Sequence, residues 1–340
     1  MTIPNNNRIV AAVDVGYGNT KYCMANVGSS QLKPDHFPSV ASLQVGVVNK
    51  GDRDWSKSDI FDITVGNSAF KVGKTVLETL PFHYDRHKNL TESYPQTDEY
   101  QALLKGALRY IGQPVIHTLV SGLPVNYYED QTKQLITRLE GEHTFPDGFS
   151  VVVENVKIFP QPMGGFIHYF QKEQPMDVKG KRSLTIDVGY FTLDWLVCRG
   201  LVMAGNRSGS IPGGMSILLE VLRQLISEDR GKPLRDIAIV DEGLRNHCTA
   251  KIGGSEYNFK HLLEKANTKL IELMRSVLSS VGSLDDVDII IMVGGGAPYF
   301  YQAALTVFDD REIIIPKQSI YSNVSGFWIG GNHFASQNIG

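Results

Sequence analysis

Ala11-Ala12-Val13-Asp14-Val15-Gly16-Tyr17-Gly18-Asn19-Thr20-Lys21 and Leu184-Thr185-Ile186-Asp187-Val188-Gly189-Tyr190-Phe191-Thr192-Leu193-Asp194 are spelled alike and lie far apart in a chain of 340 residues. Each runs from an apolar strand through an Asp into a turn containing glycine. A second strand follows, rich in β-branched or aromatic residues, which completes the pattern of a hairpin. One such segment carries little weight, because Asp and Gly are ordinary turn residues. Two copies of Asp-Val-Gly-Tyr, one near the start and one past the middle, predict a duplicated architecture with a site between the halves.

A tight turn gathers backbone N–H groups, and glycine lets a phosphate come close to them. An Asp just ahead of such a turn repels a phosphate but suits Mg²⁺, which keeps much of its water shell. Asp14 and Asp187 are therefore the expected metal carboxylates, acting through waters. Gly16, Tyr17, Gly18, Asn19 and Thr20 would form one phosphate cradle, and Gly189, Tyr190, Phe191 and Thr192 the other. Lys21 could reach back as a point charge on a phosphate.

On these segments the chain resembles the actin-like ATPase superfamily, which also holds sugar kinases and heat-shock chaperone ATPases. By pattern it is nearest to the bacterial plasmid-segregation actins of the ParM/StbA type. The resemblance implies an α/β protein with a two-domain actin-like fold, a duplicated ribonuclease H-like unit with a nucleotide cleft between the domains. It covers most of the chain, with its motifs in matching order.

The next motif is Phe159-Pro160-Gln161-Pro162-Met163-Gly164-Gly165-Phe166. A strand ends in Pro, and a helix begins with Pro162 in its first turn. In the resemblance this is the first connecting helix, whose leading carboxylate or amide orients the water that attacks the γ-phosphate. Gln161 falls at that position and joins Asp14 and Asp187 as a catalytic candidate. A Gln cannot take a proton as a base, but it can hold and aim a water. Read without the family, it is equally a helix cap. Gly213-Gly214 opens the helix Met215 to Ile226, where a bare backbone could approach the ligand. Gly294-Gly295-Gly296-Ala297 follows the buried strand Asp288 to Val293 and matches the superfamily's adenosine motif. A Rossmann reading fails there, because Tyr299 stands where a third spaced glycine belongs. In the resemblance the long helix Phe259 to Val281 contributes a Lys or Glu to the ribose, and Lys265 or Lys269 could serve.

Other signals are weaker. Val72-Gly73-Lys74-Thr75 invites a P-loop, yet GxxxxGK[ST] needs a glycine where Ser68 stands. His83 and His87 could share a helix face, but their charged neighbours read as a solvated loop. Gly28 to Trp55 reads as an insertion or edge outside the core, and Ala204 to Pro212 as a loop. Val115 to Val120 and Phe149 to Phe159 read as single strands, Tyr127 to Leu139 as a charged helix, and Tyr299 to Val307 as a helix. Thr97 reads as the cap of a helix that starts with Asp98 and Glu99.

Hydrophobic residues are 42% and charged residues 20%, which is enough apolar material for a sizeable core. A net charge of −3 gives no basic footprint for nucleic acid, so no direct DNA contact is expected. Three scattered cysteines fit a reducing compartment. No apolar run is long enough to span a bilayer, so a cytoplasmic location and no membrane partner are expected. The expected domains are 1–175, holding the first phosphate loop and connecting helix; 176–320, holding the second phosphate loop and adenosine motif; and 321–340, returning to the first.

The resemblance implies Mg²⁺-dependent hydrolysis of ATP, or of GTP, coupled to growth of a homopolymeric filament. It also implies plasmid DNA segregation through an adaptor bound to centromeric DNA. A small-molecule kinase of the same superfamily is the alternative, although Gln161 is a poor base for an acceptor hydroxyl. A non-polymerising chaperone-like or scaffold ATP-binding protein is the third.

Overall fold

A computed structural model describes residues 8–43, 59–80, 94–173, 180–309 and 311–337. The His83–His87 pair and the expected boundary near Pro175 lie outside them. The chain divides into two compact units, one running to Asp177 and resuming at Ile320, the other holding Val178–Ser319.

In the first unit β1 (Ile9–Val15) and β2 (Asn19–Asn26) make the first predicted hairpin, and β3 (Asp35–Pro38) pairs with β2. The strands β4 (Ser42–Leu43), β5 (Ile60–Val65) and β6 (Ser68–Gly73) form a small separate sheet. Next comes α1 (Asp98–Ile111), with Thr97 at its head. The Thr97 hydroxyl accepts the Tyr100 N–H at 3.2 Å, a cap worth about 1 kcal/mol. Gly112, at φ 64°, ends the helix in the left-handed region. Then follow β7 (Val115–Ile116), β8 (Thr118–Leu123), α2 (Val125–Leu139), β9 (Gly141–Thr144), β10 (Ser150–Val153), β11 (Val156–Pro160) and α3 (Gln161–His168).

The second unit opens with β12 (Arg182–Val188) and β13 (Thr192–Arg199), the second predicted hairpin. It continues through β14 (Val202–Met203), β15 (Gly209–Pro212), α4 (Met215–Arg230), α5 (Ile237–Arg245), β16 (Thr249–Ile252), β17 (Ser255–Asn258), α6 (Leu263–Val281), β18 (Ile289–Val293), α7 (Ala297–Val307) and β19 (Ile313–Ile314). The chain then re-enters the first unit as α8 (Ser322–Gln337).

The two main sheets repeat one topology. The first runs β3-β2-β1-β8-β11, and the second runs β14-β13-β12-β18-β19 with β15 also on β13. In each, the hairpin strands are antiparallel and the next two strands are parallel to the first. Parallel neighbours need crossovers, and these supply the helices.

Alternation along β1 fixes the layers. Ala11, Val13 and Val15 join Leu103, Ala107 and Leu135 in a core under α1 and α2. Val10 and Ala12 point the other way and pack with Val120, Val324, Phe327 and Trp328 under α8. The Trp328 indole N–H donates to the Val10 carbonyl at 3.1 Å. Two glycines let α8 cross α3 closely: a Cβ on Gly326 would stand 1.7 Å from the Gly164 carbonyl oxygen.

Four stretches differ from their sequence reading. Val115 to Val120 and Phe149 to Phe159 each break in two and serve two sheets, because β7 pairs with β10 and β8 with β11. Polar side chains make the switch: His117 Nδ1 accepts the Ile9 N–H at 3.0 Å, and the Asn155 amide donates to the His117 carbonyl at 3.1 Å. Within Gly28 to Trp55, β3 belongs to the main sheet, with Phe37 fully buried. Ala204 to Pro212 ends in β15, held against β13 by the Trp195 indole donating to the Arg207 carbonyl at 3.1 Å.

Candidate functional site

The first unit gathers its predicted residues at the carboxyl end of β1. Asp14 lies directly across from Lys21 in the hairpin register and shares the face of Val10 and Ala12. Its carboxylate is 2% exposed and accepts from two sides: Lys21 Nζ to Oδ2 at 3.1 Å, and Gln161 Nε2 to Oδ1 at 3.1 Å. Pro160 ends β11 and Pro162 sits in the first turn of α3, so Gln161 is delivered to Asp14 by the strand-to-helix junction. The N-cap of α3 is Pro160 and Gln161 is the first residue inside the helix, so Gln161 is not its N-cap. With the amide nitrogen donating to Asp14, the amide oxygen is the end that can accept from a water.

The turn itself closes through the Gly16 N–H donating to the Asn19 carbonyl at 3.2 Å. Gly16, Tyr17, Gly18 and Asn19 are half-buried, so their backbone is reachable. Thr20 is not: it is fully buried, with Oγ1 2.9 Å from Ser39 Oγ. Ser39, which sequence reading missed, also donates its hydroxyl to the Gly16 carbonyl at 2.5 Å and its N–H to the Gly18 carbonyl at 3.1 Å.

The second unit repeats the turn. The Gly189 N–H donates to the Thr192 carbonyl at 3.0 Å, the counterpart of the Gly16 bond. Here the residue across from Asp187 is Asp194, where the first hairpin has Lys21. Both carboxylates are buried, at 7% and 1% exposure, and Asp194 accepts the Thr192 hydroxyl at 2.7 Å. Asp194 was missed in the sequence, although the hairpin register counted from Asp187 reaches it.

Two further predicted segments meet this turn. The Gly213 and Gly214 N–H groups donate to the Phe191 carbonyl at 2.8 and 3.3 Å. A Cβ on Gly214 would stand 2.3 Å from the Gly189 carbonyl oxygen, which explains the glycine. After β18, the Gly296 N–H donates to the Val188 carbonyl at 3.0 Å, and α7 begins at Ala297, two residues earlier than expected. Gly294 lies at φ 88°, where a Cβ would meet Asp187 Oδ1 at 2.4 Å. Ser319 fixes Gly294 with two bonds at 3.0 Å, one donated and one accepted. Gly295 is the exposed member of the three. On α6, Leu273 lies against Gly213, which puts Lys269 one turn away on the same face and Lys265 two turns away. Lys269 pairs with Glu272 at 2.6 Å.

The residues fit a hydrated Mg²⁺. Asp187 and Asp194 face each other across one strand pair. Hard oxygen ligands of this kind suit the ion, which takes one or two carboxylates together with waters and phosphate. Among the described residues no group of three or more His, Cys, Asp or Glu could hold a metal, so a cage made wholly of protein is not what these residues build. The P-loop alternative finds no support: Gly73 ends a hairpin strand, and Lys74 pairs with Asp35 at 2.7 Å.

Residues 12–164 match the family described as actin-like proteins, N-terminal domain, and residues 185–304 match the archaeal actin homologue MreB-like, C-terminal family. With one actin-type domain in each half, the chain belongs to the actin-like superfamily. Solved structures agree on the fold. An archaeal actin homologue, Ta0583, aligns over 97% of this chain and 99% of its own with 21% identity and a TM-score of 0.73. A 15-stranded ParM filament from Clostridium botulinum aligns over 97% and 99% with 20% identity and a TM-score of 0.73. AlfA from the Bacillus subtilis plasmid pLS32, in filament form, aligns over 94% and 98% with 16% identity and a TM-score of 0.62. No curated protein sequence matches the chain.

Proposed function

We propose that this protein binds Mg²⁺ and a nucleoside triphosphate at the two hairpin turns, hydrolyses it, and polymerises head to tail, and that the polymer segregates plasmid DNA. The observation that carries this reading is the Lys21–Asp14–Gln161 constellation at the first turn. Gln161 holds and aims the attacking water through its amide oxygen, and Asp14 fixes the amide. Lys21 offsets the Asp14 charge and offers a cation to the phosphate. Asp187 and Asp194 hold the hydrated metal, which when bound draws off charge from the leaving phosphate oxygens. Gly294–Ala297 take the nucleoside.

A neutral amide cannot deprotonate an acceptor hydroxyl, which favours hydrolysis over transfer to a small molecule. Adenine is supported by the fold relatives, since Ta0583 was solved with ADP and an AlfA filament with AMPPNP. Filament formation is supported by the ParM and AlfA relatives solved as filaments. A head-to-tail contact joins two different surfaces and, where its rotation closes no ring, grows without limit. An adaptor bound to centromeric DNA would link the polymer to its cargo, in keeping with a net charge of −3. Among the described residues no helix is long and apolar enough to cross a membrane, and the proposed site of action is the cytoplasm.

Sedimentation with ATP, with GTP and without nucleotide is the test. A pellet that requires a triphosphate and Mg²⁺, followed by phosphate release, is the expected result. Equal pelleting in all three, or none in any, contradicts the reading.

A further inference from the structure

The first turn carries a large ring between its two glycines. Tyr17 stacks on Tyr94 with centroids 4.7 Å apart and planes at 22°. Tyr94 meets Tyr100 edge-on at 5.4 Å and 86°. Tyr100 is buried, and its hydroxyl donates to the Gly122 carbonyl at 3.4 Å. Burial, and next to it the Asp14 charge, hold that hydroxyl in its protonated form. Gly122 in turn backs Gln161, since a Cβ there would stand 3.1 Å from Gln161 Cγ. The aromatic column thus starts at the turn and finishes behind the residue that aims the water.

The second turn has a different support. There the Met215 N–H donates to the Gly189 carbonyl at 3.0 Å and the Ser216 N–H to the Tyr190 carbonyl at 2.8 Å. These are backbone bonds from the head of α4 and do not depend on any one side chain. Among the described residues no helix head does this for the first turn, where the Ser39 bonds and the Tyr94 ring lie against it.

We propose that Tyr94 is a positioning residue for the terminal phosphate: by stacking on Tyr17 it sets where the Tyr17–Asn19 amides stand relative to Asp14 and Gln161. The assignment rests on the nucleotide reading above. Backbone amides bind a phosphate only when they converge, and glycine flanks leave that convergence to be imposed from outside. Asp14 precedes this turn and holds Gln161, so a shift in the turn is felt at the phosphate under attack. A diphosphate lacks that group and is held by the other contacts.

The test uses the full chain with Tyr94→Leu, which keeps an apolar filling and loses the ring, and Tyr94→Phe, which keeps the stack. Without nucleotide, amide exchange of residues 16–21 should quicken about three- to tenfold in Tyr94→Leu, the worth of one aromatic pair. Residues 189–194 should not change. With nucleotide, Mg²⁺-ATP affinity should fall about tenfold while ADP affinity stays within about twofold, the discrimination coming from a turn loosened by that same pair. Tyr94→Phe should behave as the parent in both assays. Unchanged exchange at residues 16–21, equal quickening at both turns, or equal loss of ATP and ADP each overturn the assignment. A parent chain that binds neither nucleotide is a separate failure: it removes the nucleotide reading and the assignment with it, whatever exchange shows about the stack.

Discussion

The two turns share their backbone geometry and differ in almost everything that surrounds it. Across from Asp14 stands a lysine, and across from Asp187 stands another carboxylate. Ser39, by hydroxyl and backbone N–H, and the Tyr94 ring hold the first turn, whereas the head of a helix holds the second through its backbone. Duplication supplied one frame, and the residues set into it have divided the work. At the first turn Lys21 pairs with Asp14 at 3.1 Å. The second places two buried carboxylates across from each other, oxygen donors of the kind that suit a hydrated Mg²⁺.

Glycine replacement should break the likeness most sharply. In Gly294→Ala the new methyl would meet Asp187 Oδ1 at 2.4 Å and the Val188 carbonyl at 2.5 Å, at a φ of 88° that disfavours a side chain. We expect a loss of about 3 kcal/mol in denaturant unfolding, from left-handed strain together with the clash. In Gly16→Ala the nearest atoms are the Asn19 carbonyl oxygen at 3.1 Å and the end of Lys21 at 3.2 Å, a flexible group. The expected cost is below about 1 kcal/mol. Comparable losses would show that the junction after β18 is no tighter than the first turn.

Acid should act through the helix that presents Gln161. At its far end His168 is buried, and burial, with Lys172 adding to it, lowers its pKa to about 4. The neutral ring is the folded form, so the stabilisation is complete above the ordinary histidine value near 6.5 and disappears as pH falls towards 4. Over that window stability should drop by about 3 kcal/mol, as read from urea midpoints. His168→Gln should flatten the profile; an unchanged slope would move the acid lability elsewhere.

Charge changes come next. Lys21→Met leaves a carboxylate only 2% exposed without its ion pair, and should cost about 2 kcal/mol in the melting of the free protein. Asp187→Asn removes a carboxylate from the proposed metal site and should slow turnover by at least about tenfold. Turnover at the parent rate would remove Asp187 from the site.

Local chemistry made much of this legible. The hairpins, the Thr97 cap and the Pro-Gln-Pro junction are signals written within a few residues, and each forms where it was read. Contacts between distant segments were not legible. Ser39 and Tyr94 reach the first turn from other parts of the chain, and nothing near either residue announces a ligand. The strand β15 looked like a loop because its hydrogen bonds lie on β13 and its flat fit on Trp195 depends on Gly209. Asp194 was within reach: it closes the second quoted segment and counting the register out from Asp187 finds it, but a phosphate cradle read as ending at Thr192 stops short.

One consequence follows from α8. It seals one face of the first sheet, yet the ribosome makes it only after the entire second unit. The second unit is continuous from Val178 to Ser319 and can fold as it emerges. The first, although begun earlier, keeps Val10, Ala12 and Val120 uncovered until α8 is made. During translation that apolar sheet face is a natural holding point for a chaperone, and stalling between Ser319 and Ser322 should prolong the association.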